Sequence, residues 1–225
     1  MKLSKRLKQI EQTIVDNYDH IWDCCCDHGS LGMSLLCERT APNIHFVDIV
    51  PDLINKVEQT LQQFFSDSPS TWKTYCMDVA QLPLQQYTGK QLVIIAGVGG
   101  DLITQFVQSI VQHNPTLEID FLLCPVHHQY ALRQELVNLD FGLKHEALIE
   151  ENNRFYEIIL VSTSINDLNT PISLVGDKLW QSDTIQHQDI AQRYLTKTIK
   201  HYQRTQQGNT VDVDDIINAY QRIKI

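Results

Sequence analysis

Residues 21–29 read Ile21-Trp22-Asp23-Cys24-Cys25-Cys26-Asp27-His28-Gly29, a short β-rich run that breaks into a polar loop ending in glycine. A helical pattern follows directly, over residues 31–39. The same junction then recurs along the chain. With 21–25 as the first β-rich run, others stand at 44–49, 74–77, 92–96 and 119–124, and helical patterns at 53–65, 102–112 and 130–139 lie among them. Strand–helix alternation predicts a parallel sheet with helices on both faces. After residue 139 the rhythm changes. Apolar runs at 143–149 and 155–161 are separated only by Glu150-Glu151-Asn152-Asn153-Arg154, the signature of a hairpin. The prediction is an α/β fold with a seven-stranded, mostly parallel sheet ending in one antiparallel hairpin.

Past a polar segment at 162–169, Ile190, Tyr194, Leu195, Ile199 and Tyr202 recur at helical spacing. Gln207-Gly208-Asn209 interrupts them, and Val213, Ile216, Ile217, Tyr220 and Ile223 form a second stripe. Two amphipathic helices joined by a short turn predict a C-terminal α-helical hairpin, with Lys197, Lys200 and Arg204 facing outward. The expected division is a sheet domain over 1–165 and a coiled-coil-like helical hairpin over 176–225.

The 225 residues are 43% hydrophobic and 20% charged, enough to build a core of this size. No run approaches the roughly 20 apolar residues that span a bilayer, and residues 1–8 lack the apolar stretch of a secretory signal. Six cysteines include the consecutive Cys24, Cys25 and Cys26, which cannot bridge one another in sensible geometry; no C-x-x-C pair stands elsewhere. Reduced thiols, no metal and a cytoplasmic location are expected. Net charge is −9, unevenly spread. Residues 1–10 carry four basic and no acidic side chains, 11–176 balance at −14, and 177–225 hold seven basic against six acidic. Positive charge gathers at the chain ends, where a polyanion can dock; two solvated helical faces would look the same.

Ligands of open α/β sheets bind beyond the carboxyl ends of the strands. The chemistry-bearing residues fall there: Asp23 to Gly29, then Asp48-Ile49, Asp78-Val79, Gly97-Val98-Gly99-Gly100 and Cys124-Pro125-Val126. An acid at the tip of the second strand, about 20 residues past the first loop, suits the ribose hydroxyls of an adenosine-containing cofactor. Asp48 holds that position, a solvated loop acid or helix-cap partner being the lesser alternative. Asp78 and Val79 suit an adenine pocket, Asp78 also being placed to cap a short helix. No G-x-G-x-x-G supports a nicotinamide or flavin site.

Several segments carry a more specific likeness. Asp23-x-Cys25-x-Asp27-His28-x-x-Leu31, Ile95-Ala96-Gly97-Val98-Gly99-Gly100-x-Leu102-Ile103 and Phe155-Tyr156-Glu157-Ile158-Ile159 are among them. So are Leu3-Ser4-x-Arg6-Leu7, Leu132-Arg133 and Gly176-x-x-Leu179. In their order along the chain they resemble the bacterial tRNA (adenine-22-N1)-methyltransferases, the TrmK-like family, over residues 3 to about 180. The resemblance implies a Rossmann-like class I methyltransferase fold, S-adenosyl-L-methionine as cofactor and adenine N1 of a tRNA as acceptor. It implies cofactor contacts from Asp23, Cys25, Asp48, Ile49, Asp78, Val79, Ala96 and Gly97. For chemistry it points to Asp27, with His28 second, as the groups beside a base that becomes cationic on methylation. Adenine N1 lies on the Watson–Crick edge, so the base must be unpaired or extruded. A monomer or weak dimer is expected.

The chain departs from the family pattern at named positions. Cys25 replaces a glycine of the first loop, Ser30 a tyrosine, and Cys124 and Val126 the Gln and Asn of a Q-P-N segment. These changes leave two rival readings open: a methyltransferase acting on a small molecule or protein, and a degenerate RNA-binding relative.

Overall fold

The computed structural model describes residues 3–164, 170–181, 184–208 and 212–225. Seven strands form one sheet in the order β3-β2-β1-β4-β5-β7-β6. They are β1 His20–Cys24, β2 Asn43–Asp48, β3 Thr71–Cys76, β4 Gln91–Ala96, β5 Ile119–Cys124, β6 Gly142–Glu151 and β7 Arg154–Ser162. The first five pair in parallel, and β7 inserts antiparallel between β5 and β6. Helices α1 Lys5–Thr13, α2 Ser30–Glu38, α3 Pro51–Phe64, α4 Gly100–His113 and α5 Gln129–Asn138 surround it. The tail adds α6 Ile185–Gln207 and α7 Asp214–Gln221. No described helix is long and apolar enough to cross a membrane.

Alternation along buried strands explains why the sheet forms. Trp22, Cys24, Val93, Ile95, Phe121, Leu123, Ile159 and Val161 enter the apolar cluster on one face. Ile21, Leu92, Ile94, Leu122, Cys124, Ile158 and Leu160 enter the cluster on the other. Both faces being covered, the central strands read as continuous apolar runs. At the sheet's edge β3 has no fully buried residue, and its first half carries a single apolar side chain, Trp72. It starts at Thr71, earlier than the run at 74–77 suggests.

The N-terminal helix has no counterpart in the sequence expectation. Ser4 caps α1, its hydroxyl accepting from the Leu7 N–H at 3.3 Å. Helix α1 packs against β6, β7 and α2.

Behind β6, Trp180, Tyr194, Leu195 and Tyr220 of the tail form a third cluster with Tyr130 of α5 and Leu148 of β6. Tyr202 of α6 stacks on Tyr220 of α7, ring centres 6.0 Å apart. The break expected at Gln207-Gly208-Asn209 lies partly outside the described residues, as does most of the polar segment 162–169.

A buried ionic knot holds tail to sheet. Arg133 of α5 donates from Nε to Glu157 of β7 at 2.7 Å and from Nη1 to the Ser173 carbonyl at 3.1 Å. Its Nη2 lies 2.8 Å from Glu146 of β6, at an angle too bent for a hydrogen bond. Tyr194 of α6 donates to the other Glu157 oxygen at 2.6 Å.

Candidate active site

The carboxyl ends of β1, β2 and β4 lie level, with Cys24 opposite both Val47 and Ile95. Asp48 at the tip of β2 lies opposite Cys76 of β3. The loops that leave these ends therefore share one rim, which is where parallel sheets hold ligands.

The loop after β1 turns through left-handed backbone at Cys25 (φ 55°), Asp27 (φ 49°) and Gly29 (φ 68°). Two carboxylates hold it. Asp23, buried, accepts the Gly32 N–H at 2.8 Å, tying β1 to the first turn of α2. Burial, reinforced by nearby Asp48, pushes its pKa up to about 7 against the opposing Gly32 bond. Asp48 spans the rim, its Oδ2 accepting from the Asp27 N–H at 3.1 Å and its Oδ1 from the Val50 N–H at 3.0 Å. A carboxylate carries about four acceptor positions, so these two bonds leave capacity for further donors.

Cys25 lies within electrostatic reach of Asp48, Asp23 and Asp78, while its side chain packs against the apolar cluster. Burial first, then those carboxylates, pushes its thiol up to about 12. Burial likewise raises Cys24 and Cys26. Thiols held so far from ionisation are poor nucleophiles and poor metal ligands. Among the described residues, no three His, Cys, Asp or Glu side chains come together as a metal site.

Asp78 accepts from the Ala80 N–H at 2.9 Å and so caps the short 3-10 turn that follows β3. Val79 is buried in the apolar cluster, Ile49 is exposed, and Ala96 leads into the left-handed turn at Gly97 (φ 86°). Asp27 and His28 are both exposed, with Oδ1 and Nε2 3.5 Å apart.

Two features of this rim are not apparent from sequence position. Arg6 arrives from α1, outside the sheet. Its guanidinium lies over the Tyr156 ring at 5.0 Å, its Nη1 comes within 3.8 Å of where a Cβ on Gly97 would stand, and its buried Nε has no partner among the described residues. The second is a pair, Asp101 and His128, joined at 2.6 Å over the ends of β4 and β5. Spacing gave no sign of either; the only signal for Arg6 was its place in the Leu3-Ser4-x-Arg6-Leu7 motif.

A twisted α/β sheet with acids at the ends of its first three strands, a glycine turn after the fourth and an inserted antiparallel seventh strand defines the class I methyltransferase architecture. A family model described as a methyltransferase domain matches residues 3–159, and the chain belongs to that family. No curated protein sequence matches it significantly. Among solved structures, M. capricolum TrmK in complex with S-adenosyl-homocysteine is similar at 18% identity, covering 99% of this chain and 97% of its own, with a TM-score of 0.71. The B. subtilis m1A22 tRNA methyltransferase TrmK is similar at 19% identity over 98% and 97%, with a TM-score of 0.72. The magnesium protoporphyrin IX methyltransferase from Synechocystis PCC 6803 with bound SAM is 14% identical and covers 71% of this chain and 80% of its own, with a TM-score of 0.54.

Proposed function

We propose that this protein transfers the methyl group of S-adenosylmethionine to N1 of adenine 22 in tRNA. One observation carries the reading. The likeness to tRNA m1A22 methyltransferases runs over 98–99% of the chain, tail included, whereas that to the porphyrin enzyme covers only 71%. A helical tail locked onto the sheet suits a macromolecular acceptor better than a small one.

The residues on the rim fit the cofactor. Asp48 has acceptor capacity for the ribose hydroxyls, and Asp78 with Val79 and Ile49 borders the adenine side. The Arg6 guanidinium, whose Nη1 stands near Gly97, suits a carboxylate, which the methionine portion carries. When bound, the cofactor supplies an electrophilic methyl on sulfur. Adenine N1 attacks with a neutral lone pair, so no base is required, and the protein's work is alignment and stabilisation of the positive charge that develops. Asp27, exposed at the mouth, provides the carboxylate for that charge, with His28 beside it.

The basic chain ends converge in space, which suits phosphate contacts. Lys197 and Arg193 of α6 lie over the Phe155 ring at 5.3 and 5.5 Å. Lys5 of α1 and Lys197 both lower the pKa of Glu150 on the same hairpin, after the larger effect of its bond to Arg193.

Calorimetry with S-adenosylmethionine and methyl transfer to a tRNA transcript test the reading together. Wild type binds and methylates. Asp48→Ala removes an acceptor from two loop N–H groups and from the ribose, and binding weakens about 100-fold on the scale of hydrogen bonds to charged groups. Retention within threefold would sink the cofactor assignment. Transfer to a small molecule or a protein, with none to tRNA, would favour the other acceptor class, for which the balance of −14 over residues 11–176 speaks.

Cys25→Gly probes the departure in the first loop. A left-handed L-residue costs about 1–2 kcal/mol, and glycine's unfolded-state entropy returns roughly 0.5–1 kcal/mol of that. Stability therefore rises by about 0–1.5 kcal/mol, while cofactor affinity rises as the thiol leaves the loop that the rim carboxylates surround. Weaker binding in Cys25→Gly would show that the thiol supports the site.

A further inference from the structure

The acceptor side of the rim is built with unusual closeness. The Val126 N–H donates to the Val98 carbonyl at 3.0 Å, and the Gly100 N–H to the His127 carbonyl at 2.9 Å, latching the loops after β5 and β4 together. A Cβ at Gly99 would stand 2.3 Å from Cε1 of His127, so only glycine lets the imidazole settle there. His127 in turn meets the ring of His128 edge-on, centroids 4.3 Å apart. His128 itself sits in left-handed backbone (φ 60°) at the N-cap of α5, and its Nδ1 is 2.6 Å from Oδ2 of Asp101 in the first turn of α4. Both side chains are about half exposed, at 51% and 62%.

That geometry sets a tautomer. A carboxylate facing Nδ1 requires the proton there, which puts the lone pair of the neutral ring on Nε2. The pair thus presents a fixed hydrogen-bond acceptor on the rim. Adjacent strands lie about 4.8 Å apart, so it stands one strand beyond the Gly97 turn, away from the cofactor acids of β1 to β3. Nearby, the two positions at which the family pattern carries amides cannot read a base: Cys124 is fully buried and Val126 has no polar group.

We propose that His128, oriented by Asp101, accepts a hydrogen bond from the exocyclic amine of the acceptor adenine. The inference rests on the tRNA adenine reading above. On the Watson–Crick edge of adenine the reacting N1 stands beside the amine, which donates. Guanine and hypoxanthine present an oxygen there, and an acceptor facing it is repelled. As the methyl passes from sulfur to N1, positive charge spreads to the amine and its N–H becomes a stronger donor. No proton leaves the base; the bond to Nε2 shortens and stabilises the transition state more than the ground state. His128 is a catalytic and specificity residue, and Asp101 a positioning residue acting through it.

The test uses full-length protein and two tRNA transcripts, one with adenine and one with purine lacking the amine at the target position. Wild type prefers adenine by about 10- to 100-fold in kcat/KM, the worth of one charge-assisted hydrogen bond. In His128→Gly, chosen because glycine tolerates left-handed backbone and carries no acceptor, kcat/KM on adenine falls about 10- to 100-fold while that on purine is unchanged. In Asp101→Ala nothing holds the proton on Nδ1, the ring samples both tautomers, and part of the activity on adenine is lost there too. S-adenosylmethionine affinity stays within twofold in both variants, which a merely structural lesion would not leave intact. Adenine kcat/KM within threefold of wild type in His128→Gly overturns the proposal for the pair alone. Wild type that binds the cofactor yet methylates no adenine transcript overturns the acceptor reading, and the pair's role with it.

Discussion

Replacing Arg133 with alanine is expected to destabilise the protein by about 3–5 kcal/mol, the usual cost of removing one partner from a buried ion pair. Arg133 is fully buried, as are the Glu146 and Glu157 side chains it serves. The attraction of three buried charges roughly offsets what their desolvation costs, so the intact knot adds little net stability. Breaking it is another matter: two carboxylates remain without their cation, and Tyr194 loses the fixed oxygen it donates to. Urea unfolding at neutral pH reads the loss directly, and a chain of this size should melt roughly 2–4 °C lower per kcal/mol. Arg133→Met separates charge from volume, since it fills much of the space and still strands the carboxylates. Adding Glu146→Gln and Glu157→Gln to Arg133→Met then recovers part of the deficit. A loss under 1 kcal/mol in Arg133→Ala would mean that the tail is not held by this knot.

The same knot clarifies what the sequence motifs were reporting. Leu132-Arg133, Phe155-Tyr156-Glu157 and Gly176-x-x-Leu179 read as parts of one family likeness, and their function is not evident from spacing. In the structure they meet: Arg133 binds Glu157, and a Cβ on Gly176 would stand 2.7 Å from Nη2 of Arg133. They secure the tail, whereas Asp23, Asp27 and Asp48 shape the rim. The rim acids were legible because position relative to a strand end is a property of local sequence. Arg6 and the Asp101–His128 pair were not. Arg6 reaches Gly97 from α1, whose Leu7 and Ile10, with Ile14 at its end, form an apolar stripe at helical spacing; that stripe announces a helix but not the strand end it faces. Asp101 and His128 stand 27 residues apart and meet because β4 and β5 pair with Ala96 opposite Cys124. Register of that kind is settled by packing across the whole sheet.

A second large effect is expected on acidification, and it originates away from the rim. His45 of β2 is buried against Trp22, rings 3.9 Å apart and nearly parallel, with its Nε2 3.0 Å from Nδ1 of His20 and its buried Nδ1 unpartnered among the described residues. Burial first, then His20 and Lys73, pushes its pKa down to about 3 from an ordinary 6.5. The fold therefore keeps this imidazole neutral, while the unfolded chain takes up a proton near pH 6.5. Between those values the unfolded state binds more protons, so the His45 contribution is complete above pH 6.5 and is lost as pH falls towards 3. Asp23 works the opposite way. Its carboxyl, raised to about 7, makes the folded state the better proton binder above its ordinary 3.8, so its contribution grows as pH falls through the same window. The two slopes partly cancel in wild type, and a simple pH titration of stability would hide both. Comparison with His45→Phe isolates the histidine, because that variant keeps the ring stack and Asp23 but cannot be protonated at this position. From pH 7 to pH 5, wild type should lose about 2 kcal/mol relative to His45→Phe, at about 1.4 kcal/mol per unit below 6.5. Parallel stability curves for the two proteins across that range would show that the buried imidazole accepts a proton without opening the sheet.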